Sequence, residues 1–237
     1  MSMHKIQNKW IVWYHNPSDT DWSKQSYKDI IELTSIEDYC VLKNSWNMCL
    51  PKVSEGMFFL MRKLNNDVCI YPQWEDKHNI KGGYWSFKIV KDKCEEVWFT
   101  LMKYVLGECL LNKNMEYDII NGISISPKKN FSIVKIWLKQ NNIHIIEQLL
   151  DKDIDFININ ESMYSNHSLN IQKDKHKQLN HKKNYRNNNN NRNNRNNRNN
   201  NNNRNNNRNN NNRNNNSFGK KKYNQFTDFN NSKQCEW

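Results

Sequence analysis

Short runs of alternating apolar and polar residues dominate the front part of the chain. In residues 9–14, Trp10, Val12 and Tyr14 are spaced two apart, so they share one face of a predicted strand. Similar β-branched or aromatic runs predict strands at residues 27–33, 56–62, 84–90, 119–126, 132–138 and 155–158. Many short strands with local turns between them predict an antiparallel sheet.

Three segments follow a helical period instead: residues 36–46, 95–106 and 142–150. The first begins after Ser35, and Asp38 three residues later completes a capping-box pattern. The second is followed by Gly107, a residue type common just past helix ends. Strands with three interspersed helices indicate an α+β fold whose helices lie on one face of the sheet.

Composition changes sharply near residue 165. Residues 1–165 carry 20 basic and 21 acidic side chains, whereas residues 166–237 carry 16 and 3. Residues 184–216 are asparagine with scattered arginine and one tyrosine, without an aliphatic side chain to bury. We therefore predict one domain at 1–165 and a disordered, basic, asparagine-rich tail at 166–237. The arginine spacing suits loose phosphate contacts, or it reflects neutral drift of a polar repeat.

Other sequence features limit the classes of protein. The front part is nearly neutral, so any nucleic-acid specificity there must come from a few placed side chains. No apolar run reaches the roughly 18 residues of a membrane helix, and the first nine residues lack the apolar region of a signal peptide. We expect a protein that is cytoplasmic alone or both cytoplasmic and nuclear. Catalytic and zinc-binding motifs are missing, so we predict no enzyme and no cofactor.

Two of the nine tryptophans lie in segments too polar for a core. Trp22 follows an Asp-Thr-Asp run, and Trp74 precedes Glu75 and two further charged residues. Core packing is the default role of a tryptophan, so an indole in a polar loop indicates a ligand face. Two such rings can clamp a flat cation by stacking and cation–π attraction. The Glu75 carboxylate can accept adjacent N–H groups of such a ligand.

At these residues the chain resembles the eukaryotic translation initiation factor 4E family, the mRNA cap-binding proteins, over roughly residues 4–160. The resemblance rests on HKIQNKWIVW at 4–13, IEDY at 36–39, PQWED at 72–76 and KGGYW at 81–85. Trp98, Gly107-Glu108 and Ile136-Trp137 then follow in the family's order. It implies a curved antiparallel sheet with three helices on its convex face and the cap on its concave side.

The resemblance also implies roles for individual residues. By position, Trp22 and Trp74 sandwich the 7-methylguanine base, Glu75 reads its N1 and N2 hydrogens, and Trp137 forms a wall near the methyl group. Substituting either sandwiching ring is expected to weaken binding at least about tenfold.

The triphosphate site matches the family less well. Lys128 stands where the family has an arginine, and the next basic family positions fall on Asn130 and Ile133. Lys129 is the available substitute, and a lysine lacks the bidentate fork of an arginine. The alternative is that Lys128 and Lys129 are only the charged turn of a hairpin.

On the convex face, the family binds a helical motif of a large scaffold initiation factor or of a repressor. The corresponding surface comprises His4, Lys5, Ile6, Ile36, Cys40, Phe99 and Lys103. Cys40 replaces the exposed tryptophan that anchors the motif, so we expect partner binding to be weakened or altered. Trp46 either supplies a substitute anchor or packs under the first helix. We expect a monomer.

Four functions remain open at this point. The first, which we predict, is a cap-binding factor that delivers capped mRNA to the ribosome in translation initiation. The second is a regulatory cap binder that represses or stores mRNA, which Cys40 and Lys103 favour. The third is a cap-modifying or RNA-cleaving enzyme. The fourth is RNA binding by the tail, which would fall steeply with salt and ignore the cap.

Overall fold

A seven-stranded antiparallel sheet forms the centre of the protein. The computed structural model describes residues 3–64, 68–112, 115–144, 146–150 and 158–176. The strands are β1 (Lys5–His15), β2 (Tyr27–Ser35), β3 (Met57–Lys63), β4 (Gly83–Val90), β5 (Ile120–Pro127), β6 (Phe131–Leu138) and β7 (Met163–Asn166). Their order across the sheet is β2-β1-β3-β5-β6-β4-β7. The predicted α+β fold with a curved antiparallel sheet is confirmed.

The three predicted helices are present as α1 (Ile36–Cys49), α2 (Cys94–Leu106) and α3 (Ile146–Leu149). The capping box of α1 is confirmed, because the Ser35 hydroxyl accepts the Asp38 N–H and the Asp38 carboxylate accepts the Ser35 N–H. Gly107 caps the C-terminal end of α2, as predicted. Helix α3 is one turn long and therefore shorter than the predicted segment 142–150.

The two faces of the sheet bury different amounts of apolar surface. Trp10 and Val12 point toward α1 and α2 and join the main core with Trp98, and Tyr14 packs against the same cluster. The face predicted for these three β1 residues is thus confirmed. Ile11 and Trp13 point to the opposite face, where the apolar cluster is smaller. Since both long helices cover one face, the other remains accessible to a ligand.

The ordered chain continues past residue 165, where the sequence placed the start of the tail. Strand β7 pairs with β4, and residues 167–176 are helical with His167 and Ile171 buried. Gly83 permits this close pairing, because a Cβ there would lie 2.6 Å from the Ser165 carbonyl oxygen. Most of the predicted strand 155–158 and residues 177–237 lie outside the described residues, so tail disorder stays a prediction.

Within the described ranges, no helix has the length and apolar character needed to cross a bilayer.

Candidate functional site

Trp137 forms the floor of an aromatic cluster on the face of the sheet that the helices leave uncovered. It lies near the end of β6 and is almost fully buried, with its Nε1 donating to the Ser124 hydroxyl over 2.9 Å. The Phe59 ring meets it edge-on at 6.3 Å between centroids. This hydrogen bond and the ring contact fix one orientation of the indole.

The loop that carries Trp74 is held by a network of buried polar side chains. Asn79 is fully buried, and its Nδ2 donates to the carbonyl oxygens of Tyr71 and Gln73, each over 2.8 Å. Asn121 on β5 donates to Asn79 Oδ1 and to the backbone carbonyl of the residue just before Asn79. These bonds satisfy backbone groups that the turn would otherwise leave unpaired, so the loop has a defined shape.

Trp74 itself is half-buried, and its indole is nearly parallel to the Tyr84 ring at 6.3 Å. Glu75 is exposed beside it. The pKa of Tyr27 is raised, mainly by burial and also by the negative charge of Glu75. The Glu75 carboxylate therefore acts on the cluster even though its oxygens are open to solvent.

Trp22 lies in the loop between β1 and β2 and is 51% exposed. One face of its indole stacks on His15, with 4.3 Å between centroids and 6° between planes. The Trp22 carbonyl accepts a 2.6 Å hydrogen bond from Gln73 Nε2, which ties its loop to the loop of Trp74. The structure thus brings Trp22, Trp74 and Trp137 to one side of the sheet.

Lys135 is a candidate site residue that the sequence analysis missed. Its Nζ lies 4.2 Å from the Tyr84 ring centroid and 5.5 Å from that of Trp74. Burial, and secondarily the charge of Lys128, lowers the pKa of Lys135 to about 8. The signal was present in the sequence, because Lys135 precedes Trp137 by two positions and so shares its face of the strand.

His167 is the second missed residue. It is fully buried, 5.0 Å from Trp137 between ring centroids, and neither ring nitrogen has a hydrogen-bond partner within the described structure. Burial first, and then the nearby Lys135 charge, lower the pKa of His167 to about 3. The ring is therefore neutral at physiological pH. Only the pairing of β7 places it here, and that strand was not predicted.

Lys128 and Lys129 occupy the turn between β5 and β6, and both are exposed. The Lys128 N–H donates to the Phe131 carbonyl over 2.8 Å, so the residues do form a charged hairpin turn. Lys128 is nevertheless close enough to the aromatic cluster to lower the pKa of Lys135. The turn geometry and a phosphate-binding role are thus compatible for Lys128.

On the opposite face of the sheet, His4, Lys5, Cys40 and Lys103 are exposed, and Ile6 is half-buried. Ile36, the first residue of α1, is also exposed, and so is Val41 in the same helix. His4 pairs with Glu37 through its backbone N–H and its ring.

The prediction for Phe99 on this surface is wrong. Phe99 is 3% exposed, because its edge packs against Trp46 with 5.2 Å between centroids. Trp46 is also fully buried, and its Nε1 donates to the Pro51 carbonyl. Of the two alternatives for Trp46, the structure supports packing under the helix and not a substitute anchor.

The described residues include no group of three or more His, Cys, Asp or Glu side chains arranged to hold a metal ion.

Comparison with known proteins gives a consistent result. The family described as "Eukaryotic initiation factor 4E" matches residues 5–202. Eukaryotic translation initiation factor 4E of Eremothecium gossypii is 29% identical over 146 residues, covering 57% of this chain and 63% of that protein. Factor 4E-1 of Schizosaccharomyces pombe is 27% identical over 154 residues, covering 62% and 66%. This chain thus matches a little under two thirds of the length of either relative.

Solved structures show the same fold at lower identity. A crystal structure of Ascaris suum eIF4E-3 with an m7G cap superposes with a TM-score of 0.51 at 21% identity, covering 62% of this chain and 79% of that one. A complex of C. elegans eIF4E-3 with the 4E-binding protein Mextli and a cap analog has a TM-score of 0.50, also at 21% identity, covering 59% and 76%. On the family match, which spans well over half of its length, this chain belongs to the eukaryotic initiation factor 4E family.

Proposed function

We propose that this chain binds the 7-methylguanosine 5′ cap of mRNA and acts in translation initiation by delivering capped mRNA to the ribosome. The observation that carries the proposal is the convergence of Trp22, Trp74 and Trp137 with Glu75 on the face that the helices leave open. Family membership supports it, and so does the cap bound to the Ascaris relative of the same fold. We assign no catalytic step to the chain.

The base would stack between the outer face of Trp22 and the indole of Trp74. His15 stacks on one face of Trp22, so the base would take the opposite, outer face. A methylated guanine is cationic, and each indole contributes stacking together with cation–π attraction. The Gln73 hydrogen bond to Trp22 keeps the two loops adjacent, which lowers the entropy cost of forming the sandwich.

Glu75 would select the guanine edge by accepting its N1 and N2 hydrogens, a pairing strengthened by the charge of the methylated base. Trp137 and His167 would close the inner end of the pocket as an apolar, neutral wall. Lys135 would leave the Tyr84 and Trp74 rings to meet the triphosphate, with Lys128 as a second cation. Lysines bind phosphate as point charges, so we expect a looser grip than arginines would give.

Tryptophan fluorescence of the full-length protein tests the proposal. We expect 7-methylguanosine triphosphate to quench the emission and plain GTP to quench it far less, because only the methylated base is cationic. Trp22→Ala and Trp74→Ala should each weaken binding at least about tenfold, since a stacked base is worth about 1–3 kcal/mol. The matched control is Trp46→Phe, which removes an indole buried under α1 on the other face of the sheet. Equal quenching by both nucleotides would refute cap recognition.

A second candidate function has a specific observation in its favour. Cys40 is exposed on α1 where a partner anchor is expected, and Trp46 is buried and cannot replace it. We propose as the alternative a regulatory cap binder that occupies the cap without recruiting the scaffold. Titration with a peptide carrying the helical scaffold motif distinguishes the two. Tight binding would favour the initiation factor, and absent binding together with intact cap binding would favour the regulator.

A further inference from the structure

A cavity of about 530 Å³ opens at the end of the sheet where β1 begins and β3 ends. Its lining includes Asn8, Arg62, Lys77, Lys81 and Lys139. The three tryptophans of the proposed cap site do not line it. The volume lies within the range of about 300–1,000 Å³ that is usual for small-molecule sites.

The charge of this cavity is predominantly positive. Among its described lining residues, four side chains are cationic and only Asp118 is a carboxylate. Asp118 pairs with Lys139 over 2.9 Å, but both side chains are about half exposed, so the pair is weak and readily exchanged. The nearby Glu108 accepts a hydrogen bond from Asn8. The lining therefore favours an anion.

Arg62 gives the cavity a preorganised cation. The side chain is 5% exposed and lies over the Trp10 ring, 4.5 Å from its centroid. Its Nε and Nη2 donate to the carbonyl oxygens of Ile120 and Tyr117, each over 2.9 Å. These backbone acceptors hold the guanidinium in place without adding a negative charge, and the nearby Glu108 and Asp118 carboxylates offset part of its charge. A fixed, weakly hydrated guanidinium suits phosphate oxygens.

We propose that this cavity binds a phosphate-bearing ligand of nucleotide size, with Arg62, Lys77, Lys81 and Lys139 as its cations. Two sources carry the same chemistry, namely a free nucleotide or polyphosphate and the phosphodiester backbone of RNA. Charge-assisted hydrogen bonds from ammonium and guanidinium groups are the strong contacts in either case. The site is separate from the proposed cap pocket and does not depend on cap recognition.

The wall of this cavity also belongs to the loop that carries Trp74. His78 lines the cavity, and its backbone carbonyl accepts a 2.8 Å hydrogen bond from Asn121, a second lining residue. Asn121 also bonds to Asn79, the residue that holds the start of the Trp74 loop. A ligand in contact with Lys77 and Lys81 should therefore slow amide hydrogen exchange in residues 74–81.

The test titrates the full chain with inorganic triphosphate and follows it by NMR. The readout is the resonance of the His78 ring, which lines the cavity. Comparison with His78→Gln assigns that resonance. We expect a saturable shift of that resonance, and an affinity for triphosphate at least about tenfold lower in a Lys81→Gln/Lys139→Gln variant, which loses two of the proposed charge-assisted contacts. The control, Lys28→Gln/Lys52→Gln, makes the same charge change at exposed positions outside the cavity. Urea midpoints check that both variants fold.

An uncapped oligoribonucleotide without a 5′ phosphate forms the second arm. A cavity-dependent His78 shift with this RNA and none with triphosphate would identify the RNA backbone as the source. A shift with triphosphate alone would identify a free nucleotide or polyphosphate. If neither probe moves the resonance, or if the cavity and control variants respond alike, the proposal is overturned.

Discussion

Lys135 gives a test in which stability and ligand binding should change in opposite directions. Its ammonium is half-buried against the Tyr84 and Trp74 rings, and no carboxylate pairs with it within the described residues. A side chain kept charged in such a place destabilises the free protein. Replacing Lys135 with methionine removes the charge and keeps a similar apolar length.

The magnitude follows from the pKa of Lys135, which burial lowers from 10.5 to about 8. Each pKa unit corresponds to about 1.4 kcal/mol, so the charged lysine costs the folded state up to about 3 kcal/mol near pH 7. The lost cation–π contacts offset part of that gain, at about 0.5–2 kcal/mol. We therefore expect Lys135→Met to raise the free energy of unfolding at pH 7 by about 1–3 kcal/mol.

The pH dependence has a definite sign. Below pH 8 the folded and unfolded states both hold the Lys135 proton, and the full cost is present. Between pH 8 and 10.5 the unfolded state binds more protons than the folded state, so the wild type gains stability as the pH rises. The advantage of Lys135→Met in urea unfolding should therefore shrink across this window.

The binding assay compares ligands with and without phosphates. Lys135→Met should weaken 7-methylguanosine triphosphate binding by about tenfold, the worth of one charge-assisted contact, and leave 7-methylguanosine nearly unaffected. Lys88→Met is the control, because Lys88 is an exposed strand lysine that contacts one ring, Phe131, at 5.1 Å. Unchanged stability at pH 7, or an equal loss for both ligands, would refute the assignment of Lys135.

Three further predictions concern the framework and the convex face. Asn79→Ala removes two side-chain bonds to loop carbonyls, so the protein should lose about 2–3 kcal/mol in urea unfolding and bind the methylated nucleotide more weakly by fluorescence. Asp38→Asn should cost about 1 kcal/mol at pH 7 through the capping box. Burial opposes ionisation of Asp38, but hydrogen bonds from Thr34 and Ser35 lower its pKa overall, so this cost should vanish as the pH falls through that lowered pKa in acid unfolding. Cys40→Trp should tighten binding of a scaffold-motif peptide at least about thirtyfold by calorimetry, since a tryptophan anchor is typically worth about 2 kcal/mol or more.

The strands and long helices could be predicted because their signals are local. The alternation in β1 and the Ser35–Asp38 box each depend on residues within one turn or strand, and the structure contains both. Strand β7 has no such signal, since none of its four residues is buried and it exists by pairing with Gly83–Ser86 of β4. The prediction that Phe99 lies on the exposed partner surface failed for a related reason. Contact with Trp46, which is distant in sequence, buries that side of α2.

The candidate site likewise contains residues that the local sequence indicates and residues that only tertiary contacts place there. Trp22 and Trp74 stood out because an indole in a polar loop conflicts with its surroundings. Lys135 could not be identified from the resemblance, because the family's next basic positions after Lys128 fall on Asn130 and Ile133, neither of which is basic. His167 could not be predicted, because the local sequence does not distinguish a buried neutral histidine from an exposed one.

Under the proposed function, Lys135 would bind the phosphates of the cap differently from the arrangement that the family resemblance implies. Ile133, Lys135 and Trp137 alternate on one face of β6, so the nearest cation lies two residues closer to Trp137 than the expected position. That displacement is about 7 Å along an extended strand. A cation so close to the stacked base would meet the phosphate nearest the ribose, and the exposed Lys128 would be left for the outer phosphates. If so, 7-methylguanosine monophosphate should retain most of the Lys135 contribution, whereas Lys128→Gln should affect only the diphosphate and triphosphate in fluorescence titrations.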